Sequence, residues 1–247
     1  MLGIIGGSGF ATLEGLEIAS HERLVTRYGE PSAPVAVGRL RGQPVAFLAR
    51  HGEAHSLPPH RIDYRANIAA LGLLGVRGIL AIATVGGIGE AFATGTLVVP
   101  DQIVDYTSGR AATFSDGPPD PVVHVDFTHP FDAALRRRLL DAAQAASVAV
   151  LDGGTYGCTN GPRLESAAEI VRLRRDGCDL VGMTLMPEAA LAREAGIPYA
   201  ALCVVVNAAA GTGDSRERID EDAMRAARAQ AMRDVRLILP HAATAAT

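Results

Sequence analysis

The stretch DLVGMTLMPEAALAREAGIPYAALCVVVNAAAG, residues 179–211, contains two apolar runs with a helical stretch between them. The first run ends at Met183, and the second covers residues 199–206. Pro187 suits the first turn of a helix, where its missing N–H is not needed, and Gly196 suits the left-handed residue after the helix. The stretch therefore predicts a strand, a helix and a second strand.

The two apolar runs lack the alternation that is typical of a half-exposed strand. Such runs are typical of strands buried on both faces, as parallel strands are in an α/β sheet. Open α/β sheets bind ligands at the carboxyl ends of their strands. Met183, Thr184 and Asn207 follow these strands and are therefore candidate site residues. The alternative is that Thr184 and Asn207 only cap or turn the chain.

Size and composition favour one soluble α/β domain covering residues 1–247. The chain has 247 residues, of which 48 % are apolar, and this is enough to bury a substantial core. Its net charge of −4 provides no overall basic field, so neither nucleic acid nor an anionic membrane surface is an expected partner. No apolar run is long enough to span a membrane, and no basic leader precedes the first apolar residues.

The cysteines are isolated in apolar surroundings and form no metal-binding or redox spacing. They are Cys158, Cys178 and Cys203. This pattern favours buried thiols in a reducing compartment, without disulfides. We therefore expect a cytoplasmic protein.

Two apolar runs end in glycine-rich turns that contain a hydroxyl group. Residues 2–5 lead into a turn with Ser8, and residues 76–83 lead into Thr84-Val85-Gly86-Gly87. Small residues allow backbone N–H groups to approach an anion closely. The first turn does not complete a dinucleotide fingerprint, a Walker loop or a nucleophile elbow. The alternatives are a plain tight turn at Ser8 and a simple cap at Thr84.

A predicted hairpin, residues 35–40 and 44–48, delivers Arg50 and His51. A guanidinium beside an imidazole after a buried strand suits the binding of phosphate. The alternative is a metal site formed by His51, His55 and His60. These histidines lie in a loop interrupted by two prolines rather than on one helix face, so we predict no metal.

The rest of the chain predicts further strands, helices and one long loop. Strands are expected at 96–99, 102–105 and 149–159, helices at 64–74, 132–146, about 165–175 and about 220–239, and a loop at 115–121. Glu165 would lie in the first turn of its helix. Favourable placement against the helix dipole is therefore the alternative to a functional role for Glu165.

Six segments together resemble successive motifs of the trimeric purine nucleoside phosphorylase and methylthioadenosine phosphorylase family. They are GIIGGSGF, ARHGEAHSLPPHRIDYRANI, ATVGGIGE, NGPRLES, VGMTLMPEAALAREAGIPYA and VVVN, in order and across nearly the whole chain. The resemblance implies an α/β domain with a mixed, barrel-like central sheet flanked by helices. It also implies a homotrimer with active sites near the subunit interfaces.

The same resemblance implies reversible phosphorolysis of an N-glycosidic bond, which gives a free purine and a ribose 1-phosphate. Inorganic phosphate is the co-substrate, and no metal or other cofactor is needed. By resemblance, the phosphate is held by Ser8, Arg50, His51, Thr84 and Thr184. Met183 lies against the ribose, Asn207 and His51 are the catalytic candidates, and the base is lined by Val85, Gly86 and Leu164. Many relatives have phenylalanine where this chain has Leu164, which weakens the expected ring stacking.

Two other classes of function use the same kind of pocket: a hydrolase that cleaves the bond with water, and a purine sensor without activity. Neither explains so many phosphate donors. Relatives that take adenine resemble one another in having aspartate at the position of Asn207 and a small hydroxyl residue at that of Glu165. This chain has the pair found with 6-oxopurines, so hypoxanthine-type bases are expected.

The 5′ position of the ribose is the last element of the predicted specificity. Relatives that accept a 5′-hydroxyl have a histidine where a gapped alignment places Ile219. Isoleucine would shelter a methylthio group instead. The segment HVDFTHPF resembles one that methylthioadenosine phosphorylases lend to the neighbouring subunit, which would place His124 beside the same pocket. The expected substrate is S-methyl-5′-thioinosine, with inosine or guanosine and methylthioadenosine as alternatives; Ile219 packing only the helix start is the structural alternative.

Overall fold

A computed structural model describes residues 1–244, within which eleven strands form one sheet and five α-helices surround it. The strands are β1 Leu2–Gly6, β2 Leu16–Glu22, β3 Val35–Leu40, β4 Gln43–Ala49, β5 Ile79–Gly87, β6 Leu97–Val99, β7 Gln102–Asp105, β8 Leu151–Asp152, β9 Thr155–Cys158, β10 Leu180–Gly182 and β11 Tyr199–Ala208. The helices are α1 Tyr64–Leu73, α2 Ala133–Ala145, α3 Ala167–Arg175, α4 Leu185–Glu194 and α5 Glu221–Thr244.

Strand β5 lies at the centre of the sheet. It pairs in parallel with β1 and with β11, and in antiparallel orientation with β10. One path through the sheet runs β2-β3-β4-β1-β5-β10-β9-β7, and β11 leads from β5 to β6 and β8. The mixed α/β sheet that the family resemblance implies is therefore confirmed.

The parallel pairing expected for the strands of residues 179–211 is confirmed for β11 with β5 and for β10 with β9, but β10 runs antiparallel to β5. Leu180 pairs with Gly87 and Val181 with Gly86 in antiparallel register, whereas β11 runs parallel to β5. A continuous apolar run reports burial on both faces and says nothing about strand direction. Because β10 runs back along the end of β5, the residues that follow it return towards Thr84.

Most of the other predicted elements are present, with altered ends. The hairpin β3–β4 and helices α1 and α2 lie where the sequence places them. Strand β5 continues through the glycine-rich segment that the sequence suggested was a turn, and residues 149–159 form two short strands separated by Gly153 and Gly154. Strand β2 was not predicted, because most of its side chains are exposed and polar or small.

Local capping explains where several helices begin and end. The Asp63 and Asp132 carboxylates accept hydrogen bonds from the first turns of α1 and α2. Ser166 and Glu169 form a reciprocal capping box at the start of α3. Gly196, with a φ of 68°, follows α4 as predicted.

The core lies on both sides of β5 and β11, as the continuous apolar runs predict. Nearly every residue of these two strands is buried. The cysteines are free and buried, in agreement with the sequence. Among the described helices, none combines the length and apolar character needed to cross a membrane.

Candidate active site

One cleft at the ends of β1, β4, β5, β10 and β11 gathers almost all of the predicted site residues. Its lining includes Ser8, Arg50, His51, Thr84, Val85, Gly86, Leu164, Glu165, Met183, Thr184, Asn207 and Ile219. His124 does not line the cleft of its own chain but lies in an exposed segment. The residue types and their convergence suit a ligand with an anionic group at one end and a polar ring at the other.

Arg50 is fully buried, lines the cleft and is held by Glu188 of α4. Nε and Nη2 of Arg50 donate to the two carboxylate oxygens of Glu188, each at 2.7 Å. Nη1 donates to the Ile82 carbonyl at 2.8 Å, and the Tyr199 hydroxyl donates to Glu188. Burial alone would lower the Arg50 pKa, but the Glu188 carboxylate outweighs it and raises the pKa. The pair is therefore charged and rigid, and N–H groups of Nη1 and Nη2 remain for a ligand.

His51 is buried beside Arg50 and is neutral around pH 7. Burial and the positive charge of Arg50 lower the pKa of His51 to about 4. Its Nδ1–H donates to the Leu57 carbonyl at 2.8 Å, so the neutral ring presents an unprotonated Nε2. His51 can therefore bind a phosphate oxygen only if the complex contains an additional proton, on the ring or on the phosphate.

The glycine-rich turn after β1 brings backbone close to Arg50. A Cβ at Gly7 would lie 2.4 Å from the Ile82 carbonyl oxygen and 3.0 Å from Nη1 of Arg50. Residue 7 must therefore be glycine for the turn to fit, as the sequence pattern indicated. Ser8 follows on the turn, and its hydroxyl lies 3.4 Å from Nε2 of His55.

Neither threonine of the cleft has a helix-capping side chain. Thr184 is at the N-cap position of α4, but its hydroxyl makes no capping hydrogen bond. Its N–H donates to the Tyr156 hydroxyl, and the residue is buried. Thr84 lies inside β5 rather than at a helix end. The capping alternatives for Thr84 and Thr184 are therefore wrong.

Glu165 does not lie in the first turn of its helix, so the alternative based on the helix dipole is also wrong. Ser166 is the N-cap of α3, and the acidic residue of the first turn is Glu169. The Glu165 carboxylate instead accepts a hydrogen bond of 2.6 Å from the Thr159 hydroxyl and lines the cleft. The sequence placed the helix start one or two residues too early, a common error at helix ends.

Asn207 follows an irregularity in β11, where the register to β5 shifts between Val205 and Asn207. Such a shift is a bulge, and bulges often redirect a side chain next to a binding site. One N–H of the Asn207 amide donates to the Ala208 carbonyl at 2.7 Å, which leaves its second N–H and its oxygen for a ligand. Asn207 and Glu165 both line the cleft.

Sequence reasoning missed three charged residues that shape the cleft: Glu188, Arg110 and Arg228. Arg110 donates to the carbonyls of Met183 and Asn160, at 2.8 Å and 3.0 Å, and so joins the segment after β10 to the segment before α3. Arg228 of α5 lines the cleft directly. The signal for Glu188 was available, because a carboxylate surrounded by apolar residues in the first turns of a helix suggests a buried partner.

Comparisons with known proteins identify the family of the chain. Residues 1–239 match the family model described as the phosphorylase superfamily. The chain is 59 % identical over 216 residues to a probable S-methyl-5′-thioinosine phosphorylase of Xylella fastidiosa, covering 87 % of this chain and 91 % of that protein. It is 46 % identical over 215 residues to the 6-oxopurine nucleoside phosphorylase of Pyrococcus furiosus, covering 85 % and 80 %.

Solved structures show the same architecture. Methylthioadenosine phosphorylase from Schistosoma mansoni, in complex with adenine, superposes with a TM-score of 0.92 at 32 % identity. The match covers 98 % of this chain and 90 % of the other.

Proposed function

Since this chain belongs to the phosphorylase superfamily, we propose that it cleaves S-methyl-5′-thioinosine with inorganic phosphate. The products would be hypoxanthine and 5-methylthioribose 1-phosphate. The observation that carries the proposal is the cleft that brings the predicted phosphate donors together with Glu165 and Asn207. The similarity to probable methylthioinosine phosphorylases, 54 % to 59 % identical, supports the same substrate.

The reaction needs no covalent intermediate with the protein. A phosphate oxygen attacks the anomeric carbon of the ribose while the electrons of the glycosidic bond move into the purine. The protein contributes by holding the two reactants and by stabilising the charge that develops on the base. We propose that Arg50, His51, Ser8, Thr84 and Thr184 hold the phosphate. Inorganic phosphate is the co-substrate, and the proposal requires no metal or other cofactor.

The base end favours a 6-oxopurine on hydrogen-bonding grounds. Such a base presents N1–H as a donor, which the Glu165 carboxylate can accept, and O6 or N7 as acceptors for the Asn207 amide. Adenine would present an unprotonated N1 to the carboxylate. The mismatch of one buried polar pair costs about 1–3 kcal/mol, which is tenfold to more than a hundredfold in rate.

The single chain leaves an apolar segment uncovered, and this supports a homotrimer. Val122 and Val123 are 74 % and 49 % exposed and flank His124. We propose that this segment packs on a second copy and places His124 beside that copy's cleft. We also propose a cytoplasmic location, which is consistent with three free cysteines.

The test is the release of hypoxanthine from methylthioinosine with and without added phosphate. The proposal expects release only with phosphate, and a higher kcat/KM for methylthioinosine than for inosine. Equal release in phosphate-free buffer would identify a nucleosidase, and a preference for inosine would favour the general 6-oxopurine phosphorylase. No release from any purine nucleoside would favour a sensor.

A further inference from the structure

Arg228 of α5 reaches from the helix to the glycine-rich turn at the phosphate end of the cleft. A Cβ built at Gly9 would lie 3.0 Å from Cδ and 3.1 Å from Nε of Arg228. Gly9 has a φ of 81°, so both its backbone and the arginine above it disfavour a side chain. Arg228 therefore lies over the turn next to Ser8 and lines the same cleft as Arg50.

The residues at the proposed phosphate end carry too little net positive charge to balance the two negative charges of a phosphate dianion, unless a second cation is present. The positive charge of Arg50 is already neutralised by Glu188, with which it forms two hydrogen bonds of 2.7 Å. His51 is neutral around pH 7 in the free protein, so a proton taken up with the anion offsets at most one of its two charges, and the remaining donors are uncharged hydroxyl groups. A buried dianion held only by neutral groups would lose its hydration without an equivalent interaction in return.

Arg228 is the cation that is available. Within residues 1–244, no hydrogen bond or ion pair is formed by its guanidinium, although five other arginines of the described chain pair with aspartate or glutamate at 3.0 Å or less. The positive charge of Arg228 is close enough to the turn to affect a neighbouring histidine. Burial and then the charge of Arg228 lower the pKa of His55, and Nε2 of His55 lies 3.4 Å from the Ser8 hydroxyl. An arginine without a carboxylate partner is suited to a bidentate contact with phosphate.

We propose that Arg228 binds the inorganic phosphate co-substrate. Arg228 supplies the positive charge for the phosphate, because the charge of Arg50 is already neutralised by Glu188. This inference rests on the proposed phosphate-dependent reaction and adds a residue to it. Arg228 is partly exposed on α5, whereas Arg50 is fully buried, and both line the cleft.

The test compares Arg228→Met, which keeps the apolar stem and removes the charge, with Arg228→Lys and with Arg233→Met. Arg233 lies five residues further along the same helix, is exposed and does not line the cleft, so it controls for charge removal from α5. Binding of inorganic phosphate is measured by isothermal titration calorimetry in a phosphate-free buffer. Steady-state kinetics then gives the KM values for phosphate and for methylthioinosine.

The proposal expects Arg228→Met to weaken phosphate binding about tenfold to a hundredfold, the range for losing a hydrogen bond to a charged group. The KM for methylthioinosine should change less than twofold, Arg228→Lys should recover part of the loss, and Arg233→Met should match the wild type. Unchanged phosphate affinity in Arg228→Met, or an equal loss in Arg233→Met, would overturn the proposal.

The calorimetric measurement separates this inference from the proposed reaction. If the wild type released the base without phosphate, the proposed reaction would fail, and the role of Arg228 would still be decided by the binding of phosphate itself. If the wild type bound no phosphate, the role proposed for Arg228 would be wrong.

Discussion

Arg50 and Thr184, at the proposed phosphate end of the cleft, are buried next to strand ends, whereas at the proposed base end Leu164 is 43 % exposed and Glu165 lies before a helix. Arg50 is held by three hydrogen bonds, two of them to a buried carboxylate. Glu165 is held by one hydrogen bond, from Thr159. The two ends of one cleft are therefore built with different rigidity.

The difference follows from what each end must recognise. Phosphate is the same anion in every reaction of this class, so its donors can be fixed in the core of the fold at the cost of a buried ion pair. The base varies between relatives. Of its proposed contacts, Val85, Gly86 and Asn207 belong to β5 and β11, whereas Leu164 and Glu165 lie on a segment before α3 that can change without disturbing the sheet. Substitutions at the phosphate end should therefore affect stability, whereas those at the base end should affect selectivity.

The largest effect is expected for Glu188→Gln. The amide keeps the shape of the side chain but leaves the Arg50 charge buried without compensation, and breaking a buried pair in this way costs about 3–5 kcal/mol. Urea denaturation should show this loss. Phosphate should then raise the Tm of the variant more than that of the wild type, because the anion replaces the missing negative charge.

Glu90→Gln is the matched control, since Glu90 is exposed and outside the cleft. It should leave both the urea midpoint and the shift with phosphate unchanged. If Glu188→Gln were as stable as the wild type, the buried pair would not hold the phosphate end rigid. An equal effect of phosphate on the Tm of both proteins would show that Arg50 does not contact the anion.

The double change Asn207→Asp with Glu165→Ser should exchange base preference with little loss of stability. The carboxylate at residue 207 would suit adenine, and the removal of the carboxylate at 165 would end its mismatch with the unprotonated N1. We expect the kcat/KM ratio of methylthioinosine to methylthioadenosine to fall about tenfold to a hundredfold or more. The urea midpoint should move far less than in Glu188→Gln.

Glu169→Ser provides the comparison for that experiment. Glu169 belongs to the same segment, but its carboxylate caps α3 and pairs with Arg163 at 2.7 Å. Loss of the Glu169 carboxylate should lower stability slightly and leave the kcat/KM ratio of methylthioinosine to methylthioadenosine unchanged. If this kcat/KM ratio changed as much in Glu169→Ser as in the double variant, the structure of the loop, and not the carboxylate of Glu165, would decide the selectivity for the base.

The difference between the two ends also explains what the sequence could predict. Apolar runs ending near Ser8, Thr84 and Thr184 predicted that these residues converge, and they line one cleft in the structure, because buried strands leave a clear pattern and their ends meet. The ion partner of Arg50 was missed because Glu188 is 138 residues away along the chain. No local pattern links two such residues, although each is unusual in an apolar context.

At the base end the local pattern itself was misleading. An acidic residue just before an apolar helical stretch predicts a favourable dipole position, and Glu165 was assigned to it. The structure shows that Glu169 takes this role and Ser166 the cap, which leaves Glu165 to the cleft. The direction of β10 was likewise beyond the sequence, because burial on both faces does not distinguish parallel from antiparallel pairing.

Phosphate affinity should fall as pH rises, because His51 at the proposed phosphate end is neutral in the free protein. In the free enzyme the pKa of His51 is about 4, so the ring is neutral at pH 8 and its Nδ1–H is engaged with Leu57. A phosphate dianion raises that pKa, so binding should take up as much as one proton. Affinity should then fall up to about tenfold per pH unit above the second pKa of phosphate. Below that pKa the monoanion brings its own proton, and affinity should level off.

Proton uptake is measured by calorimetry of phosphate binding at pH 8 in two buffers of different ionisation enthalpy. His51→Gln should abolish the uptake, whereas His60→Gln should retain it, because His60 is exposed and does not line the cleft. Identical heats in both buffers for the wild type would show that Nε2 of His51 does not share a proton with phosphate.

The smallest effect is expected at Ile219, in the segment that leads into α5. Ile219 lines the cleft together with Met224, and it is partly buried there. Its apolar side chain can shelter a methylthio group but cannot bind a hydroxyl group. Ile219→His should therefore weaken the reaction of methylthioinosine and favour inosine, changing the ratio of their kcat/KM values about tenfold, the low end for one small apolar group. Ile18→His is the control, since Ile18 is 50 % exposed on β2 and lies outside the cleft.

The Ile219→His variant also tests whether recognition of the 5′ group is independent of the recognition of phosphate and of the base. Neither the phosphate KM nor the preference between hypoxanthine and adenine nucleosides should change, because Ile219 contacts neither group in the proposed arrangement. A ratio of methylthioinosine to inosine that stayed constant in a folded Ile219→His variant would mean that Ile219 only packs the start of α5. In that case Met224, which belongs to α5 and lines the cleft, would be the remaining apolar contact for the methylthio group.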